Sequence, residues 1–441
     1  MTERYVIAGV APARSTWFLE VARWATAAVL PLDFVKCMSV GEASSRLASG
    51  RTFSVLLADG ATAGLDRDLV DQALTAGCAV FIVDDGRSAR DWISLGASAV
   101  LPAQFDRGTL LGALTEHATM VGGPDTTLTG APTPSPIVPW RGRLIAVTGS
   151  GGTGTSTAAI ALATGLGHDA RHRGMVALAD LALNGDQALL HGAGDIVPGV
   201  QELIEAHRAG TPSIEQVRTL LFDGPQPYQL LLGLRRHRDW SVVRPRSFLA
   251  ALDSLRRTFT AVVADVDADL EGEDECGSIE VEERNVMART VTEQADLVVV
   301  TGLPGVKGLR SLVSTTADLL AHGVAPERIV PVINRAPRHP RPRAELTLAV
   351  AQLTESLPTP SAGPSRDPVG PLVFLPERKR LELAFRDATP MPDQLVAPIT
   401  HAVAAVLDRV TDPALDDPRR GDGNAIVPGS LGTWPENEAT G

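Results

Sequence analysis

The 441 residues predict two or three domains, and an apolar fraction of 44% supplies material for large buried cores. Forty Lys and Arg against 52 Asp and Glu leave a net charge of −12, and only 4% of residues are aromatic. These values argue against broad, non-specific nucleic-acid binding, which needs a positive field, and against base-stacking platforms.

Only Lys36, Lys307 and Lys379 are lysines, so arginine supplies nearly all the positive charge. Cys37, Cys78 and Cys276 are scattered and form no CxxC or Cys/His cluster, which points away from a disulfide framework or a zinc site. The start, MTERYVIAGV, lacks the basic and apolar regions of a secretory signal. No run of about 18 apolar residues appears. The expectation is a cytoplasmic protein without a membrane span.

In chain order, apolar runs at 5–10, 32–38, 53–59, 78–84 and 98–102 read as strands. Thr16–Val29, Leu65–Ala76, Ala89–Leu95 and Arg107–Ala118 between them read as helices. Such alternation over residues 1–120 predicts a parallel, doubly wound, flavodoxin-like sheet. Residues 121–141, rich in Pro, Gly and Thr, read as a linker. A second α/β domain is predicted over 142–411, with strands at 144–149, 175–180, 260–266, 296–302 and 329–334. Residues 412–441 turn polar and Pro/Gly-rich with a net charge of −4, and read as a disordered acidic tail.

The most informative segment is LIAVTGSGGTGTSTAAIALATGL, a strand that runs through a glycine-rich turn into an Ala-rich helix. Its turn is Gly149, Ser150, Gly151, Gly152, Thr153, Gly154, Thr155, Ser156 and Thr157. Glycines let the backbone curl with its N–H groups inward, and the helix start adds its dipole, so a phosphate is favoured there. The spacing fits G-x-x-x-x-G-K-[ST], except that Thr155 stands where the lysine should be. Ser156 then supplies a hydroxyl for a magnesium ion.

From Arg143 to about Val410 the chain resembles the MinD/ParA group of deviant P-loop ATPases, and most of all its CpaE/TadZ and septum-site-determining-like branch. The fold class implied is α/β, with two doubly wound parallel-sheet domains: flavodoxin/receiver-like, then P-loop NTPase-like. Members carry KGGxGKT-type loops; here Ser150 replaces the lysine that crosses the dimer and Thr155 the P-loop lysine. CpaE-like members often lack the latter. MVALAD resembles the strand ending in paired switch I aspartates: Asp180 matches the first, and Ala182 stands where the second would orient the attacking water. TAVVAD resembles the Walker B strand, which implies that Asp265 holds the metal through water. RIVPVIN resembles the strand whose terminal Asn334 contacts adenine. FLPERKRLELAFRDATPM resembles the segment that closes over the base.

The resemblance implies ATP and Mg2+ as cofactors, a homodimer, and protein partners in a pilus/tight-adherence secretion or cell-division machinery that recruit the protein to a pole or septum. Loss of both lysines and of the water-orienting aspartate removes transition-state stabilisation that positioned cations normally supply. Backbone N–H groups and the metal remain, so binding is expected to outlast hydrolysis. The alternatives are a true ATPase and a nucleotide-free scaffold.

Lys307 and Arg310 read as solvated or partner-facing, and the acidic run Asp269–Glu283 as a solvated loop. Asp186 reads as a helix cap. The first domain resembles a response-regulator receiver, but its first strand ends in GVAPARS without acids and its fifth in AVLPAQF without lysine. Asp59, near the acceptor position, is therefore not expected to be phosphorylated, and the domain reads as a pseudo-receiver used for docking or dimerisation.

Overall fold

The computed structural model describes residues 4–12, 15–86, 90–121, 140–172, 174–355, 370–379, 381, 385 and 389–409. The expected linker, apart from its ends, and the expected tail lie outside them.

The first unit runs β1 (Tyr5–Val10), α1 (Thr16–Thr26), β2 (Leu32–Cys37), α2 (Val40–Ala48), β3 (Val55–Asp59), α3 (Arg67–Thr75), β4 (Ala79–Asp84), β5 (Ala99–Pro102) and α4 (Arg107–His117). Its five strands are parallel, in the order β2-β1-β3-β4-β5. That is the strand order of the flavodoxin-like arrangement expected from the sequence. Apolar clusters cover both faces, one around Phe53, Leu56 and Trp92 and the other around Trp17, Leu57 and Phe81. The helix expected over Ala89–Leu95 is not formed among the described residues: the chain makes turns there. The Asp91 carboxylate accepts the Ser94 N–H at 3.1 Å, and Gly96 at φ +106° ends the turn before a helix can propagate.

The second unit contains β6 (Arg143–Thr148), α5 (Thr155–His168), β7 (Val176–Asp180), α6 (Gln187–Leu190), α7 (Val200–Ala209), α8 (Ile214–Thr219), β8 (Phe222–Asp223) and β9 (Gln229–Leu231). It continues through α9 (Pro245–Thr258), β10 (Ala261–Asp265), α10 (Glu273–Cys276), α11 (Ile279–Gln294), β11 (Leu297–Gly302) and α12 (Val306–Ala321). It closes with β12 (Ile329–Ala336), α13 (Pro340–Thr354), β13 (Val373–Pro376) and α14 (Asp393–Leu407).

The sheet order is β13-β12-β11-β6-β10-β7-β9-β8, parallel except where β8 meets β9. The strands are continuous apolar runs because both faces are covered. Helix α5 is apolar all round and fully buried at Ala158, Ala159, Ala161 and Ala163, since it lies between the sheet and α14. Strand β6 is flanked by β10 and β11, so the loop that follows it emerges at the middle of the sheet's carboxyl edge. In open α/β sheets that edge is where ligands bind.

Candidate functional site

The chain leaves β6 at Thr148 and turns through Gly149–Gly154 into α5. Gly154 sits at φ +86°, in the left-handed region, and a Cβ there would overlap the Asn334 amide. A Cβ on Gly149 would strike Thr301 on β11. Only glycine allows this curl and these close approaches. At the crest, Gly151 and Gly152 face open space. The first turn of α5, beginning at Thr155, presents its free N–H groups at the same place.

The hydroxyl that replaces the lysine does not face the cradle as a donor of charge. Thr155 Oγ1 lies 2.9 Å from Thr301 Oγ1 and 3.3 Å from Thr153 Oγ1. Thr153 and Thr301 hydroxyls are 2.8 Å apart, and Thr153 donates to the Ser150 carbonyl at 2.7 Å. The three threonines thus brace the loop against β11. Ser150, at the other lost lysine position, accepts a hydrogen bond from Ser311 Oγ on α12.

Asn334 is buried at the edge of the same loop. Its amide donates to the Thr153 carbonyl at 2.9 Å, and its oxygen accepts the Arg335 N–H at 2.8 Å. Beside it opens a cleft of about 590 Å³ bordered by Gly154, Thr157, Asn334, Arg335, Pro376 and Arg378. That volume lies within the range of small-ligand pockets. Arg335, held at φ +50°, and Arg378, whose buried Nε has no partner among the described residues, bring positive charge to the cleft. Neither arginine was singled out from the sequence, since no motif marks them.

Asp180 and Asp265 end the adjacent strands β7 and β10 and are paired in register. Both are buried, at 1% and 3% exposure. Gln187, fully buried at the start of α6, spans them: its N–H donates to Asp180 Oδ2 at 3.1 Å and its Nε2 to Asp265 Oδ2 at 2.8 Å. Ser156, in the first turn of α5, lies close enough to Asp265 to lower its carboxyl. Burial, together with the neighbouring Asp265 charge, raises the Asp180 carboxyl to about 8. Burial raises Asp265 to about 6, opposed by its bonds from Ser156 and Gln187.

Among the described residues, Asp180 Oδ1 and Gln187 Oε1 have no hydrogen-bond donor. A carboxyl raised to about 8 keeps its proton at neutral pH, and a hydrated cation at the site would take that proton's place. The open glycine crest beside it leaves room for the phosphate such a cation would accompany. Gln187 was missed from the sequence because a lone polar residue in a four-residue helix carries no pattern.

The remaining candidates separate from this cluster. Asp186 occupies the position before α6 without making a side-chain cap. Lys307 and Arg310 lie exposed on α12. The run Asp269–Glu283 is largely helical, in α10 and the first turn of α11, and Asp269 is paired with Arg284 at 2.5 Å. Asp59 is tied by the Trp17 indole N–H at 2.9 Å and the Ala61 N–H at 3.0 Å. Among the described residues, no group of three or more His, Cys, Asp or Glu side chains is placed to hold a metal by itself. No described helix is long and apolar enough to cross a membrane.

No protein-family model matches the sequence, and no curated protein does. Solved structures do resemble the fold. A ParA family ATPase from Chlorobium tepidum aligns at 15% identity, covering 59% of this chain and 99% of its own, with a TM-score of 0.45. A putative plasmid partition protein from Borrelia burgdorferi bound to AMPPNP aligns at 14% identity, covering 61% and 100%, with a TM-score of 0.42. The septum site-determining protein MinD from Pyrococcus horikoshii, complexed with Mg-ADP, aligns at 17% identity, covering 62% and 97%, with a TM-score of 0.42.

Proposed function

We propose that the second domain binds ATP with Mg2+ at the Gly149–Gly154 loop and hydrolyses it weakly or not at all. The observation that carries this reading is the juxtaposition of an open glycine cradle at the centre of the sheet's carboxyl edge with two donor-starved acceptors beside Asp265 and Ser156. Ser156 and Asp265 would hold Mg2+, whose charge would offset that of the phosphates. Around it, the loop N–H groups and the start of α5 bind phosphate, Ser156 and Asp265 orient the metal's ligands, and Asp180 with Gln187 completes the acceptor shell. Asn334 holds the loop in its binding shape, and the cleft by Arg335 and Arg378 receives the base and sugar.

The weak-turnover half of the reading follows from what is missing. Thr155 and Ser150 are hydrogen-bonded within the protein and bring no cation to the phosphates. Preorganised cations account for a large part of phosphoryl-transfer catalysis. By its resemblance to MinD/ParA-type proteins, the chain acts as a spatial regulator. Nucleotide favours a homodimer, and partners of a pilus-type secretion or septum-placing machinery recruit it.

A nucleotide-free scaffold is the second reading, favoured by the threonine brace and by Gln187 spanning both aspartates. Equilibrium binding of ATP with Mg2+, measured beside steady-state turnover, separates the readings. Binding without turnover supports the proposal. Turnover abolished by Asp265→Ala makes the protein an ATPase, and absence of binding makes it a scaffold.

A further inference from the structure

Two helices of the second domain end against the first. Helix α9 starts at Pro245 with no side-chain cap, and α7 ends at Ala209 with His207 and Arg208 as the basic residues of its last turn. Three consecutive residues at the start of α3, in the first domain, meet both ends. The Asp68 carboxylate accepts the Arg246 N–H at 3.0 Å and the Ser247 hydroxyl at 2.6 Å, in the first turn of α9. The Arg67 guanidinium donates to the carbonyls of His207 at 2.9 Å and Gly210 at 3.1 Å, at the end of α7, and to Thr211 Oγ1 at 3.0 Å.

Asp66 completes the set. One of its oxygens caps α3 itself, while the other takes two hydrogen bonds from Arg208, at 3.2 and 3.0 Å. Each charge has the sign that the helix end requires: an anion at an N-terminus and a cation at a C-terminus. The contact is enclosed, since Asp66 is 5% exposed and Ser247 is fully buried. Arg246 adds a bond from its guanidinium to Thr75 Oγ1 at 2.9 Å, at the far end of α3.

We infer that the first domain is an intramolecular docking partner: Asp66–Arg67–Asp68 adds charged hydrogen bonds to the end of α7 and the start of α9, and the two domains bind one another as a single unit rather than hanging from a linker. The docking face of the first domain is then the start of α3, and its partner is the α7/α9 face of the second domain.

The test uses the full chain with a specific protease site inserted within residues 122–139. After cleavage, the halves are expected to co-elute in size-exclusion chromatography at low salt. Combining Arg67→Ala with Asp68→Ala should weaken their association by about tenfold or more, with each half still folded by circular dichroism. Asp68→Asn, which keeps shape and one acceptor, should act in the same direction with a smaller effect, and it guards against misfolding of the double variant. Hydrogen exchange at Arg246, Ser247 and Gly210 should rise in step. Separation of the unsubstituted halves overturns the inference, as does co-elution unchanged in both variants.

Discussion

Both sheets end in carboxylates at their ligand-facing edge, and the two edges differ in how those carboxylates are satisfied. In the first sheet an indole closes each one: Trp17 donates to Asp59 at 2.9 Å and Trp92 to Asp84 at 2.8 Å. In the second, Asp180 keeps one buried oxygen without a donor, and the Gln187 carbonyl beside it is also unpaired. The same architecture is therefore finished in one place and left open in another. A carboxylate whose hydrogen bonds are complete stays charged; one buried with a donor missing takes up a proton, as the raised Asp180 carboxyl does.

The largest expected effect breaks the open edge outright. Gly154→Val forces a branched side chain into a left-handed position and into the Asn334 amide. Binding of ATP with Mg2+, measured by calorimetry, should weaken by at least about a hundredfold, equivalent to about 3 kcal/mol.

Next in size is a pH effect where the units meet. Burial lowers the His207 imidazole from 6.5 to about 4, with Arg67 and Arg257 adding in the same sense. The unfolded chain then binds a proton that the folded one refuses between those two values. Stability on this account is fully present above about pH 6.5 and is lost progressively as pH falls toward 4, by about 3 kcal/mol. His207→Leu should flatten that part of a denaturation profile measured across pH.

One substitution made at both edges tests the comparison directly. Asp180→Asn removes a buried acid that is costly to ionise and should stabilise the ligand-free protein by about 1 kcal/mol in urea unfolding at pH 8. Asp59→Asn places an amide where two N–H groups already point and should destabilise by about 1 kcal/mol. Equal signs at the two positions would remove the distinction. The smallest change, Trp17→Phe, keeps one aromatic ring and deletes the other together with the donor. It should cost about 1 kcal/mol, with ATP affinity unchanged in the same calorimetric assay.

The strands that carry the site were legible because runs such as LIAVT and AVVAD are apolar throughout, as strands buried on both faces must be. The glycine turn was legible because phosphate loops need those residues at those intervals. Strands β8, β9 and β13 span two to four residues and exist only through pairing with neighbours, so no periodicity announces them. Gln187 and Arg378 reach the site through folding alone. The Asp66–Arg67–Asp68 contact joins residues more than 130 positions apart, a pairing that no local pattern encodes.

The threonine brace ties position 155 to its neighbours. A lysine installed at position 155 alone would gain a cation for the phosphates but forfeit the hydroxyl that ties the loop to Thr301. The neighbouring hydroxyls of Thr153 and Thr301 would then have to repack around a longer side chain. Thr155→Lys on its own is therefore expected to loosen the loop, and Thr153 and Thr301 would have to change with it for the new side chain to be seated.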